Sequence, residues 1–112
     1  MRTNSDPKEI AATILNRSVC AVQVGACLVD NWAVHSWGWN HSGFKGLGEH
    51  AEVHCLRRAN KERLARSTLY VAAIRRRNQH IVTAKPCEMC QWLIGRVGSI
   101  WYRNGEGEWL QL

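Results

Sequence analysis

His50-Ala51-Glu52 and Pro86-Cys87-Glu88-Met89-Cys90 are the two stretches that decide how this 112-residue chain is read, with 36 residues between His50 and Cys87. Together they supply one imidazole, two thiols and one extra carboxylate. Three N/S ligands leave one position open at a tetrahedral zinc, which is the composition of a catalytic rather than a structural site. The carboxylate is not needed as a ligand and is free to move protons. A lone C-x-x-C serves redox pairs and structural zinc equally well, and a lone H-x-E carries almost no signal. Both together, in this order and with Pro directly before the first Cys, are selective.

Spacing supports convergence of the two stretches. Cys87 and Cys90 are three apart and share one face of a helix. Pro86 suits a helix start, so the run CEMCQWLIGRV predicts a helix from Cys87 to Val97, closed by Gly98. Thiols in a first helical turn feel the positive end of the dipole, which favours the thiolate a metal needs. His50 and Glu52 are two apart and converge only on a metal lying beyond a helix N-terminus. Leu47-Gly48-Glu49 followed by HAEVHCLRRAN fits, as a glycine loop feeding a helix that begins at His50. His54 stands four after His50, but H-A-E-V-H is not the H-E-x-x-H of metalloproteases. It is read as a supporting or surface residue, not a ligand.

Working outward, the length allows a single domain over residues 1–112, and 46% hydrophobic residues allow one core. No apolar run approaches the 18 or so residues of a membrane span. Nor does Met1-Arg2-Thr3-Asn4-Ser5-Asp6 lead into a secretory signal, so a cytoplasmic location is expected. Five cysteines is an odd number with two reserved for metal, which argues against a disulfide framework. Cys20, Cys27 and Cys55 are read as small buried residues of a reducing compartment. Asp6-Pro7 opens a helix whose core face is Ile10, Ile14 and Leu15. Val22–Val29 and Trp32–Gly38 read as a hairpin, Thr68–Ile74 as a third strand, and Ile100–Arg103 with Glu108–Leu112 as a closing hairpin around Asn104-Gly105-Glu106-Gly107.

H-x-E…P-C-x-x-C is the signature of zinc nucleobase deaminases. On these residues the chain resembles the cytidine/deoxycytidylate deaminase superfamily, and the element order extends the resemblance over nearly its whole length. The resemblance implies a three-layer α/β fold, with a mixed sheet of about five strands flanked by helices and a C-terminal antiparallel hairpin. It implies a zinc ion held by His50, Cys87 and Cys90. Glu52 would take a proton from the zinc-activated water, protonate N3 of cytosine, and later hand a second proton to the departing amine. Gly38-Trp39-Asn40-His41 resembles the family's Gly-x-Asn element, which assigns Asn40 to the substrate sugar. Val24-Gly25-Ala26 resembles the first strand, where a small residue, Ala26, makes room for the base. Backbone groups of Ala51, Thr83 and Ala84 are expected at the base edge. Trp39, Phe44 and Trp92 are candidates to stack on bases, with core packing the alternative for each.

Substrate class is read from charge and from the closing hairpin. A net charge of +6 favours polyanionic partners. Arg57, Arg58, Lys61, Arg63, Arg66, Arg75, Arg76 and Arg77 hold eight of the fifteen basic residues, with only Glu62 among them. Arg75-Arg76-Arg77 is the candidate phosphate contact, and a solvated rim is its alternative. The short turn before the last strand resembles nucleoside-type cytidine deaminases and several bacterial toxin deaminases. His-Ala-Glu, rather than Cys-Ala-Glu, is nearer to deoxycytidylate and nucleic-acid deaminases. The first reading, favoured narrowly, is deamination of cytosine in single-stranded nucleic acid (DNA). The second is a deaminase of free cytidine, deoxycytidine or the monophosphate. From another class, a non-catalytic zinc-stapled nucleic-acid-binding module is opposed by Glu52, which a structural site has no use for. A homo-oligomer is compatible with each.

Overall fold

The computed structural model describes residues 6–31, 33–42 and 48–112, apart from the side chains of Met89 and Leu93. Helix α1 (Pro7–Ile14) starts as expected: Asp6 is the N-cap, and its carboxylate accepts the Lys8 N–H at 2.9 Å. A 3₁₀ turn, Leu15–Arg17, carries it toward the sheet. Strands β1 (Val22–Val29) and β2 (Val34–Trp39) form the first antiparallel hairpin. The expected first residue of the return strand, Trp32, lies outside the described residues, as does Phe44.

Strand β3 (Thr68–Arg75) is the centre of the sheet. It pairs antiparallel with β1 over its full length, Val22 opposite Arg75 and Val29 opposite Thr68. On its other edge the first half runs parallel to β5 (Ser99–Arg103), and the second half pairs with a short strand β4 (Ile81–Val82). Strand β6 (Trp109–Gln111) closes antiparallel on β5, so the sheet order is β2-β1-β3-β5-β6 with β4 beside β3. The antiparallel closing hairpin and the mixed sheet match the expectation. Strand β4 and a 3₁₀ turn at Lys61–Arg66 were not anticipated.

The strands' twofold alternation sorts the two faces. Ala26, Leu28, Leu69, Val71 and Ala73 point to one side and pack with Ala51 and Cys55 of helix α2 (Ala51–Arg57), and with Ile94 just after helix α3 (Glu88–Leu93). Cys27, Ala72 and Ile74 point to the other side, against Ala11 of α1 and Leu15. Leu28 and Leu69 are register partners and fully buried, so truncating either to Ala costs about 2–5 kcal/mol. Close packing fixes two glycines. A Cβ on Gly25 would sit 2.2 Å from the Ala11 carbonyl oxygen, and one on Gly38 would sit 2.5 Å from the Cys55 amide nitrogen.

Two helix boundaries are corrected. The helix expected from His50 begins at Ala51, with His50 as its N-cap in extended conformation. The helix expected from Cys87 to Val97 covers only Glu88–Leu93, with Cys87 as its N-cap. The run ends early because Gly98 must return beside the Lys61–Arg66 turn: its N–H donates to the Leu64 carbonyl at 3.1 Å, and a Cβ there would lie 2.5 Å from the Ala65 carbonyl oxygen. Among the described residues no helix is long and apolar enough to cross a membrane.

Candidate active site

The N-termini of α2 and α3 bring the two motifs together. His50 and Cys87 are both N-caps, which puts one ligand at the mouth of each helix, and Cys90 follows one turn into α3. His50 Nδ1 lies 2.9 Å from Cys90 Sγ and 4.0 Å from Cys87 Sγ. The three ligand atoms are all within 4.8 Å of one another. His50 and Cys87 are exposed and Cys90 is fully buried, so the cluster is open on one side.

The donor set fits zinc. Burial pushes the Cys90 thiol up to about 12, and the neighbouring Glu52 and Cys87 push the same way. A thiol in that setting is a poor nucleophile, but a divalent cation reverses the local field and takes the sulfur as thiolate. Two sulfurs, one ring nitrogen and an open side match a three-ligand catalytic zinc site. His50, Cys87 and Cys90 are thus the group that could hold a zinc ion.

Glu52 sits in the first turn of α2 and is 5% exposed. Burial raises its carboxyl above the usual range, while its own backbone amide and the nearby His50 pull it down. A carboxylate held back from solvent beside metal ligands takes and gives a proton more readily than a surface one.

A cavity of about 220 Å³ opens onto this group. Its walls are Val22 and Val24 of β1, Ala73 of β3, Asn40, and the Thr83–Lys85 segment, with His50, Ala51, Glu52 and Cys87 at one end. The expected residues Asn40, Ala51, Thr83 and Ala84 are therefore brought to it. Asn40 is already fastened to β1: its Oδ1 accepts the Val24 N–H at 2.9 Å and its Nδ2 donates to the Val22 carbonyl at 2.8 Å. The Ala84 N–H is likewise spent on the Arg103 carbonyl.

Three expected residues lie elsewhere. Ala26 is on the cavity's face of β1 but fully buried in the α2-side core; Val22 and Val24 form that wall instead. Two residues of strand carry Ala26 under α2 and out of reach. The Trp39 ring stacks edge-on against His54 and at a tilt against His41, with Arg17 and Arg58 over it. Trp92 projects from α3 and is 82% exposed, away from the cavity. Sequence reasoning missed Val22, Val24, Ala73 and Lys85; twofold alternation carried back from Ala26 finds the two valines.

His54 is not a surface residue. It is buried, and its Nδ1 accepts the Trp39 N–H at 3.2 Å, with His41 Nε2 also 3.2 Å away. His41, Glu49 and His54 form a second group with ligand-competent atoms. Its members are engaged within the protein, since Glu49 holds Arg57 through both carboxylate oxygens, at 2.8 and 2.9 Å. His41 and Glu49 also exchange backbone hydrogen bonds, so the trio ties the residue before His50 to the end of β2.

The arginine triplet lies at the β3–β4 turn. Arg76 is pinned by its N–H to the Ala21 carbonyl and by its guanidinium to the Val19 carbonyl. Arg75, Arg76 and Arg77 with Ala21 and Val22 line a recess of about 570 Å³, and Val22 is shared with the cavity over the zinc ligands.

Comparison with known proteins agrees with this geometry. The chain is similar to a cytidine deaminase from Burkholderia pseudomallei, at 18% identity and a TM-score of 0.71, covering 99% of this chain and 92% of that one. It is also similar to the apo dCMP deaminase of the cyanophage S-TIM5, at 26% identity and a TM-score of 0.60, covering 82% of this chain and 73% of the other. No curated protein matches the sequence. Residues 1–100 match the family model for the cytidine and deoxycytidylate deaminase zinc-binding region. That span takes in both N-caps, both thiols and Glu52, and the chain belongs to this family of zinc-dependent deaminases.

Proposed function

We propose that the protein hydrolyses cytosine to uracil and ammonia within single-stranded nucleic acid. The observation that carries the substrate choice is the recess of Arg75, Arg76 and Arg77, which adjoins the cavity at Val22. A base in the cavity would leave its flanking backbone beside three guanidiniums, and phosphate contacts of this kind dominate affinity for nucleic acid.

Zinc, when bound, lowers the pKa of water toward neutrality and so supplies the nucleophile for C4 of the base. Glu52 would take one proton from water and give it to N3, then take the proton of the hydroxyl gained at C4 and pass it to the leaving amino group, so that ammonia departs and the C4 carbonyl remains. Ala51 is the first residue of α2, and its N–H has no intrahelical partner, which leaves it to donate to the base carbonyl. Carbonyl groups of the Thr83–Ala84 segment accept from the exocyclic amine. Val22, Val24 and Ala73 exclude water from the ring faces. Asn40, with one N–H of its amide still free, meets the sugar.

A second reading, turnover of free cytidine, deoxycytidine or the monophosphate, is favoured by the antiparallel β5–β6 hairpin. A side-by-side assay on deoxycytidine, its 5′-monophosphate and a single-stranded oligonucleotide decides between them. The oligonucleotide should have the highest kcat/KM; an inert oligonucleotide beside an active monophosphate would establish the second reading. In the same assay Glu52→Ala should keep about one zinc per chain and lose roughly 10²–10⁴-fold in rate. Cys90→Ala should lose the metal itself. Near-normal turnover by Glu52→Ala would assign the proton transfers to another group.

A further inference from the structure

Lys85 is the cation that the reaction described above leaves unused. It lies two residues before Cys87 and lines the same cavity as His50, Glu52 and Asn40. Its N–H donates to Thr83 Oγ1 at 3.3 Å, which sets the backbone of this wall. The residue is exposed, and neither ion pair among the described residues includes it. Glu52, the acidic residue of the cavity wall, is buried at the zinc end.

A lysine in this wall has nothing to pair with in the base alone. Cytosine is neutral, and deamination builds positive charge on the ring as N3 is protonated. A nearby like charge opposes that protonation. The sugar is neutral as well, so the counter-charge must arrive with the substrate, and phosphate is the anionic part of a nucleotide. Lysine is well suited to meet it. Its flexible stem carries a point charge with three rotatable donors, which follows a phosphate without demanding one geometry.

Resting on the deaminase reading of this cavity, we propose that Lys85 is a specificity-determining residue that takes a phosphate attached to the target nucleotide. The cavity then selects phosphorylated cytosine substrates over the free nucleoside. Arg75, Arg76 and Arg77 serve the neighbouring recess, while Lys85 serves the target nucleotide itself. The phosphate is either the terminal group of a mononucleotide or a diester of a strand.

The test is the ratio of kcat/KM for a phosphorylated substrate to that for deoxycytidine, in the zinc-loaded protein and in Lys85→Gln. The ratio should fall about tenfold in Lys85→Gln, through KM rather than kcat, and Lys85→Arg should recover most of it. A fall with the monophosphate alone identifies a terminal phosphate, and one with the oligonucleotide alone a diester. A ratio unchanged within twofold for both overturns the proposal. Calorimetry in the Glu52→Gln background, with deoxyuridine 5′-monophosphate against deoxyuridine, reads the same preference without turnover. A protein that turns over no cytosine substrate sinks the deaminase reading, while this binding ratio still decides the role of Lys85.

Discussion

At the scale of single residues, protonation state follows from partners. His35 shows this away from the site. Its Nε2 lies 2.9 Å from Ser67 Oγ, and that hydroxyl donates to the Arg63 carbonyl. The imidazole must therefore donate from Nε2, which leaves Nδ1 bare, and Nδ1 is buried without a partner. Burial lowers the His35 pKa, with Arg63 and Arg66 lowering it further and Asp30 opposing. The unfolded chain then binds the proton more readily than the folded one. Stability from this group is complete above about pH 6.5 and declines as pH falls through that value. His54, lowered chiefly by burial and next by His41, acts in the same direction. The midpoint of thermal unfolding should drop between about pH 7.5 and 5.5, and less steeply in His35→Gln, where loss of zinc is common to both proteins. Equal slopes would show that His35 is not responsible. The cluster at the two helix mouths was legible for a related reason. Zinc chemistry demands particular atoms, so His50, Glu52, Cys87 and Cys90 announce themselves. A cavity wall demands only shape, and Val22, Val24 and Ala73 have nothing in their identity to mark them.

At the scale of elements, the main strands and the start of α1 were legible, and the start of α2 and both ends of α3 were not. Val22–Val29 and Thr68–Arg75 are runs of small and β-branched residues whose alternation survives in both core faces. Helix length depends on what stands at the far end. The periodicity from Cys87 to Val97 is real, since Ile94 and Val97 are buried, but the backbone leaves the helix at Leu93 to bring Gly98 under Ala65. No local signal records that encounter. Strand β4 escaped notice because two residues carry no periodicity. The fit of α2 against β2 gives a prediction. A methyl group on Gly38 would meet backbone atoms of Ala51 and Cys55, neither of which yields without moving the helix that carries Glu52. Gly38→Ala should cost about 1–3 kcal/mol in stability and lower activity in the protein that remains folded. Calorimetric unfolding with an assay on the same sample checks both, and an unshifted midpoint would show that α2 sits looser than this.

At the scale of the whole molecule, the basic cluster divides. Sequence proximity groups Arg57 to Arg77, but folding gives Arg57 to Glu49 and Arg63 to Asp30, and places Arg58 over Trp37 and Trp39. Lys61 donates to the backbone carbonyls of Leu56 and Ala59. Much of the charge is thus spent on the protein's own groups, Arg76 included through the Val19 carbonyl, and the triplet at the β3–β4 turn lines the recess that shares Val22 with the cavity. If Arg75, Arg76 and Arg77 each meet a phosphate, replacing all three with Gln should flatten the salt dependence of oligonucleotide binding. Each lost contact lowers the log–log slope by about 0.7. Fluorescence titration from low to moderate salt measures it. A slope equal to that of the parent protein would make the triplet a solvated rim.

The split edge of β3 has a consequence in time. Its first half waits for β5 and its second half for β4, while its other side pairs with β1, laid down far earlier in the chain. Such distant pairings make folding slow relative to helical proteins of this size, because loops must close before contacts reward them. His50 and Cys90 stand 40 residues apart, on opposite sides of β3 in sequence. During synthesis the ligand set cannot exist until residue 90 has emerged and the sheet has drawn the two helix mouths together. The full ligand set is therefore complete only after the chain of β1, β2 and β3 has already been made.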